Sequence, residues 1–196
     1  MRRLLLASTS PYRRELLARL GLPFETLAPR ADETPRSGEP PRELALRLAR
    51  AKAESALPTD AVVIGSDQVP SLDGRPLAKP GSHAAALEQL LACQGKTVAF
   101  YTAVVVIDAA DGRRWETVDR TDVAFRTLGR DDLDRYLAAE RPYDCAGGFK
   151  AEGLGVVLFE RIVSEDPTAL IGLPLIALAR MLREAGLDPL APRRAP

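Results

Sequence analysis

With one histidine, two cysteines and no excess charge of either sign, the chain excludes several chemistries at the outset. His83 opens an Ala-rich helical stretch, so neither a His-rich metal site nor a Ser-His-Asp triad has an obvious imidazole. Cys93 and Cys145 lie far apart and lack CxxC spacing. That argues against a disulfide scaffold, a zinc site or a thioredoxin-type pair, and leaves buried, inert thiols as the expectation. Lys+Arg and Asp+Glu are both 27, so a broad electrostatic footprint for nucleic acid is not expected. Any anion bound should be small and held locally. Long apolar runs are also missing: the one after Arg2 and Arg3 stops at Ala7, too short for a signal-peptide core or a membrane span. The cytoplasm is the expected address, with no membrane partner.

What is present reads as one folded domain over residues 1–190, followed by a Pro-rich end (191–196, APRRAP) expected to be disordered. Helical and strand patterns alternate. Strands are expected at residues 4–6, 24–28, 61–64 and 156–162, and helices at 42–57, 82–92, 131–140 and 175–184. Residues 97–107 and 115–125, β-branched and joined across Asp111-Gly112, predict a long antiparallel hairpin. Asp73-Gly74 is a second hairpin-like turn. The expected fold is α/β with a mixed twisted sheet flanked by helices.

The segment LLLASTSPYRRELLARL at residues 4–20 carries the most information. An apolar strand runs into Ser8-Thr9-Ser10, Pro11 suits the first helical position, and Leu16, Leu17 and Leu20 recur at helical spacing. Arg13 and Arg14 therefore fall in the first helical turn, where free amides and the helix dipole are already electropositive. They read either as a solvated first turn or as a phosphate site.

Five further groups could carry chemistry. At about 100° per residue, Lys52 points within about 20° of Ala45 and about 40° of Leu48, on the inward side of its helix. A lysine there either binds an anion or snorkels. Val62-Val63-Ile64-Gly65-Ser66-Asp67-Gln68 reads as a buried strand with polar groups at its carboxyl end, which makes Asp67 the first choice of catalytic carboxylate or else a turn residue. Glu33, in a Pro-rich loop, joins Asp67 as a hard oxygen ligand suited to Mg²⁺ or Mn²⁺. Lys79 lies on the return stretch beyond Asp67, facing the same cleft or the surface. In the loop at residues 144–153, Lys150 could meet a phosphate and Glu152 could accept from a base edge. Gly95-Lys96-Thr97 is no P-loop: the first glycine of that motif would fall at Leu90, and the segment runs into a strand.

Taken together, ASTSPYRRELL, DET, GSDQV, KP, CAGGFKAEG and GLPL resemble the Maf family of nucleoside triphosphate pyrophosphatases over nearly the whole chain, and most closely its YceF-type branch. The resemblance implies two lobes around a deep cleft, similar to inosine triphosphatase-like enzymes. It also implies hydrolysis of 7-methylguanosine triphosphate between the α and β phosphates with a divalent metal. Asp67 takes the active-site acid position. Ser8, Arg13, Arg14, Glu33, Lys52 and Lys79 match the phosphate and metal pocket, and Tyr12, Gln68 and Glu152 match base selectivity. Tyr12 departs from the tryptophan often found there. A homodimer is also implied. The rival readings are the pyrimidine-directed branch, which Tyr12 and Glu152 argue against, and a non-catalytic nucleotide-binding regulator of cell division.

Overall fold

Leu4 and Leu6 of β1 (Leu4–Ala7) pack into one hydrophobic cluster and Leu5 and Ala7 into another, as the two-residue period of a strand covered on both faces requires. A computed structural model describes residues 2–191 of the chain, so the end expected to be disordered lies, apart from Ala191, outside the described residues. β1 leads into α1 (Pro11–Ala18), β2 (Glu25–Leu27) and α2 (Pro41–Glu54). Then come β3 (Val62–Leu72), β4 (Arg75–Pro76), α3 (His83–Cys93), β5 (Thr97–Asp108), β6 (Arg114–Phe125) and α4 (Arg130–Glu140). A 3₁₀ turn (Leu154–Leu158), β7 (Phe159–Val163), a second 3₁₀ turn (Ala169–Ile171) and α5 (Leu175–Glu184) follow.

The strands form one mixed sheet in the order β2-β1-β3-β5-β6-β7, with β4 paired to the end of β3. β1 runs parallel to both β2 and β3, and the other pairings are antiparallel. One face of the parallel half, with Leu4, Leu6, Val62, Ile64, Val104 and Val106, is covered by α1 and α5. The opposite face, with Leu5, Val63, Ala103, Val105 and Ile107, is covered by α2. Beyond it, Val98, Phe100, Val123 and Phe125 pack under α3 and α4.

Two backbone details set the dimensions of the site. Asp73 and Gly74 both take positive φ, +52° and +79°, the backbone of a tight hairpin turn between β3 and β4. At Gly65 a Cβ would lie 2.3 Å from the carbonyl oxygen of Ala49 and 2.6 Å from the amide nitrogen of Ala53. Only glycine lets α2 approach the sheet this closely, and the small inward residues Ala45, Ala49 and Ala53 complete the fit.

Several elements depart from sequence expectation. The strand expected to end at Ile64 continues to Leu72, because β5 pairs with it from Val62 as far as Ser71. Asp67 is therefore a mid-strand residue and not a turn residue. β1, however, stops opposite Gly65, where its Ala7 pairs. From Ser66 onward β3 is flanked on that side by the chain leaving β1, and a cleft opens there. The strand expected at 156–162 begins at Phe159, after the 3₁₀ turn, and α2 ends three residues early at Glu54.

Candidate active site

α1 begins as its sequence dictates. Ser10 is the N-cap, its hydroxyl accepting from the Arg13 amide at 3.4 Å, and Pro11 stands first in the helix. Ser8, itself buried, accepts from the Ser10 amide at 3.1 Å and so shapes the turn before the cap. Arg13 enters the cleft with its Nε donating to the Gly172 carbonyl at 2.9 Å. Arg14, one residue on, is exposed and is not among the residues lining the cleft.

From the other side comes Lys52, near the end of α2, with a side chain only 8% exposed. Its ammonium donates to Asp67 Oδ1 at 2.6 Å and lies 2.8 Å from Glu33 Oε1. Lys52 thus has a partner and does not snorkel. Asp67 is buried as well, whereas Glu33 sits at the rim with 60% of its side chain exposed. The Lys52 hydrogen bond holds the Glu33 carboxyl below the usual carboxylate range; desolvation opposes the shift, and Lys52, Lys79 and Arg13 add to it through their charge. Arg13 moves the other way: desolvation pulls it down, partly offset by Asp67 and Glu33. It remains a cation.

The loop bearing Glu33 is strapped to α2. Arg47 grips Glu39 with two hydrogen bonds, 2.6 Å from Nε and 2.8 Å from Nη2, and also reaches the Thr34 carbonyl at 3.0 Å. Glu39 is pulled down to about 2 by this grip.

The remaining wall is apolar and acidic. Phe149, stacked edge-to-face on Phe100, Phe125 and Phe159 with ring centroids 4.8–5.5 Å apart, anchors the loop that brings Asp144, Cys145, Ala146 and Glu152 to the cleft. Tyr12 faces this wall: burial raises its phenol pKa, and the nearby Cys145, Glu152 and Asp144 raise it further. Burial pushes the Cys145 thiol up to about 11. Lys150 does not line the cavity. Its ammonium donates to the Glu140 carbonyl at 3.2 Å, satisfying the carboxyl end of α4 instead. Gln68 lines the cleft, with Nε2 directed at the carbonyls of Ala169 (2.9 Å) and Leu170 (3.0 Å).

The resulting cavity measures about 460 Å³, within the range that holds a nucleotide-sized ligand. It brings together Ser8, Tyr12, Arg13, Glu33, Lys52, Asp67, Gln68, Lys79 and Glu152, and leaves Arg14 and Lys150 outside. His83 is elsewhere, between Tyr143 and Asp134. Sequence reasoning missed Phe100, Phe149 and the turn at residues 170–172 as lining groups. An aromatic within a buried strand and GLPL itself were the available signals.

A cationic wall, a buried carboxylate and an aromatic-acidic wall around one cavity are what binding and cleaving a nucleoside polyphosphate requires. The model of the Maf-like protein family matches residues 3–185, nearly the whole chain. This chain belongs to the Maf family. Among relatives of this Maf protein, a 7-methyl-GTP pyrophosphatase of Xanthomonas oryzae is 57% identical, covering 95% of this chain and 98% of its own. One of Cupriavidus metallidurans is 55% identical, with 93% of each chain covered. The solved structure of a HAM1 protein from Coxiella burnetii has the same fold, with a TM-score of 0.51 at 14% identity over 95% of this chain and 99% of that one. The expected mixed α/β architecture of the Maf protein is thereby borne out. Among the described residues no helix is long and apolar enough to cross a membrane.

Proposed function

We propose that the chain hydrolyses 7-methyl-GTP to 7-methyl-GMP and pyrophosphate, as a house-cleaning activity on modified nucleotides in the cytoplasm. The observation that carries the reading is a single cavity in which Arg13, Lys52 and Lys79 gather about Glu33, and Tyr12 lies near Glu152. The relatives' names support it.

N7-methylation makes guanine cationic. Stacking on Tyr12 then adds about 0.5–2 kcal/mol of cation–π attraction. Glu152 accepts from the N1 and exocyclic amino hydrogens, a pair of donors that thymine and uracil lack. A wrong base leaves that carboxylate poorly satisfied, which is an effective route to discrimination.

The cations stabilise charge on the triphosphate. Lys52 occupies Oδ1 of Asp67, so Oδ2 is the atom that meets the attacking water and accepts its proton. A divalent ion fits the donor set. Glu33 Oε1 and Asp67 Oδ1 both reach the Lys52 ammonium, which places two hard-oxygen carboxylates side by side, and magnesium is commonly held by one or two carboxylates plus substrate phosphates. Glu33 and Asp67 would hold Mg²⁺ or Mn²⁺ together with the phosphates of the nucleotide. When bound, the ion neutralises charge on the phosphates. On the family resemblance alone we propose that the chain forms a homodimer, which molar mass by light scattering tests.

The test is chromatography of products from 7-methyl-GTP, GTP, UTP and dTTP incubated with Mg²⁺ or Mn²⁺. Preferred conversion of the methylated nucleotide, lost in Asp67→Asn with the fold intact, is the expected result. Preferred conversion of pyrimidines keeps the chemistry and overturns the base pocket. Binding without any turnover favours the regulator.

A further inference from the structure

Arg13 is held in the cavity by an arrangement that begins behind the lining, at Ser66. Ser66 stands next to Asp67 but on the other face of β3, where it is fully buried. Its hydroxyl donates to the Gly172 carbonyl at 3.1 Å. The same oxygen accepts from Arg13 Nε at 2.9 Å. Two residues along, on the same face, Gln68 Nε2 is directed at the Ala169 and Leu170 carbonyls, and Thr102, opposite Gln68 on β5, donates to Ala169 at 3.0 Å. The turn at residues 169–172 thus hangs by its carbonyls from a row of polar side chains on the sheet.

A guanidinium tethered through Nε is fixed in plane, while its two Nη groups stay available for an oxyanion. We propose that Ser66 is a positioning residue for Arg13, acting through the shared Gly172 carbonyl, and that it sets affinity for the pyrophosphate end of the ligand and not for the base. The inference rests on the phosphate-binding reading of Arg13. It assigns a function to a buried hydroxyl that touches no substrate. Within the row, Thr102 and Gln68 hold the turn, whereas Ser66 holds the acceptor that Arg13 uses.

Calorimetric titration of the full chain with inorganic pyrophosphate in magnesium buffer, and separately with 7-methylguanosine, tests it. Arg13→Ala comes first, because unchanged pyrophosphate affinity in that variant would remove the phosphate reading itself and this inference with it. If Arg13→Ala does weaken binding, Ser66→Ala is expected to weaken pyrophosphate about 3- to 10-fold, the worth of one hydrogen bond, and to leave 7-methylguanosine unchanged. In the Arg13→Ala background Ser66→Ala should have no further effect, since both act through one contact. Thr102→Ala relaxes the same turn at Ala169 and should leave pyrophosphate affinity within about twofold. Should Ser66→Ala fail to fold, Ser66→Cys, near-isosteric with a weak donor, takes its place and should show a smaller loss in the same direction. Once Arg13→Ala has weakened binding, three results overturn the inference: unchanged pyrophosphate affinity in the Ser66 variant, losses additive with Arg13→Ala, or an equal loss in Thr102→Ala.

Discussion

Replacing Lys52 with methionine tests the electrostatic centre of the site. The substitution keeps a long unbranched side chain in the inward stripe of α2 and removes only the charge. What it leaves behind is Asp67, a buried carboxylate that has lost its 2.6 Å partner. Removing one member of a buried ion pair costs about 3–5 kcal/mol, mostly the penalty of the stranded charge. The Glu33 contact adds little, since that side chain is 60% exposed and water screens it. In a chain of this size the loss translates to a melting temperature lower by roughly 6–20 °C. Calorimetry at neutral pH measures it, with urea unfolding as a second readout. The double variant Lys52→Met/Asp67→Asn carries no stranded charge and should recover more than half of the loss. A single-variant shift below about 2 °C, the size of an ordinary surface change, would refute the reasoning. So would a double variant whose loss equals the sum of the two singles.

Gly65→Ala should destabilise at or above the usual overpacking range of about 1–3 kcal/mol, because the new Cβ meets main-chain atoms that cannot rotate away; a urea midpoint near wild type would contradict it. Glu39, held at about 2 by Arg47, contributes stability that is present above the ordinary carboxylate range and lost as pH falls towards about 2. Glu39→Gln should therefore flatten the fall of melting temperature with acidification in that window, and an unchanged slope counts against the strap. Arg47→Ala should speed amide hydrogen exchange in residues 30–40 while the sheet stays protected; equal protection in both proteins would show that the strap does not hold the loop. Burial pushes both thiols, Cys93 and Cys145, up to about 11. Cys93 is buried as expected whereas Cys145 is only half-buried on the cleft wall, so at pH 8 an aromatic disulfide reagent should modify Cys145 slowly in the native chain and Cys93 only in urea; fast native modification of Cys93 would contradict its burial.

Much of the site could be read before any fold was known, wherever one residue's chemistry determines local geometry. The cap at Ser10 followed by Pro11 placed Arg13 in a first turn, and helical periodicity put Lys52 inward among alanines. What escaped was decided by distant partners. Gly65, Ser66 and Asp67 are poor strand formers, so a polar carboxyl end was the natural reading; the continuous ladder to β5 overrides that local preference. Lys150 reads as a free cation in a Gly-rich loop, yet the end of α4 lies close enough to use it. The turn at residues 169–172 is held through main-chain carbonyls, which any sequence supplies, so only the adjoining GLPL marked the place.

The parallel pairing of β1 with β3 joins residues 4–7 to residues 62–65, closing the longest stretch of chain of any strand pairing among the described residues. The β5–β6 hairpin, by contrast, folds on neighbours in sequence, and the entropy of closure grows with the length enclosed. Ser8, Tyr12 and Arg13 hang from that long-range pairing, while Asp67 and Gln68 belong to the antiparallel ladder with β5. The two halves of the cavity therefore differ in folding cost, and a partly folded chain that has built its hairpins and packed α2 on them but not docked β1 would possess Asp67 and its Lys52 partner without Arg13 and Tyr12.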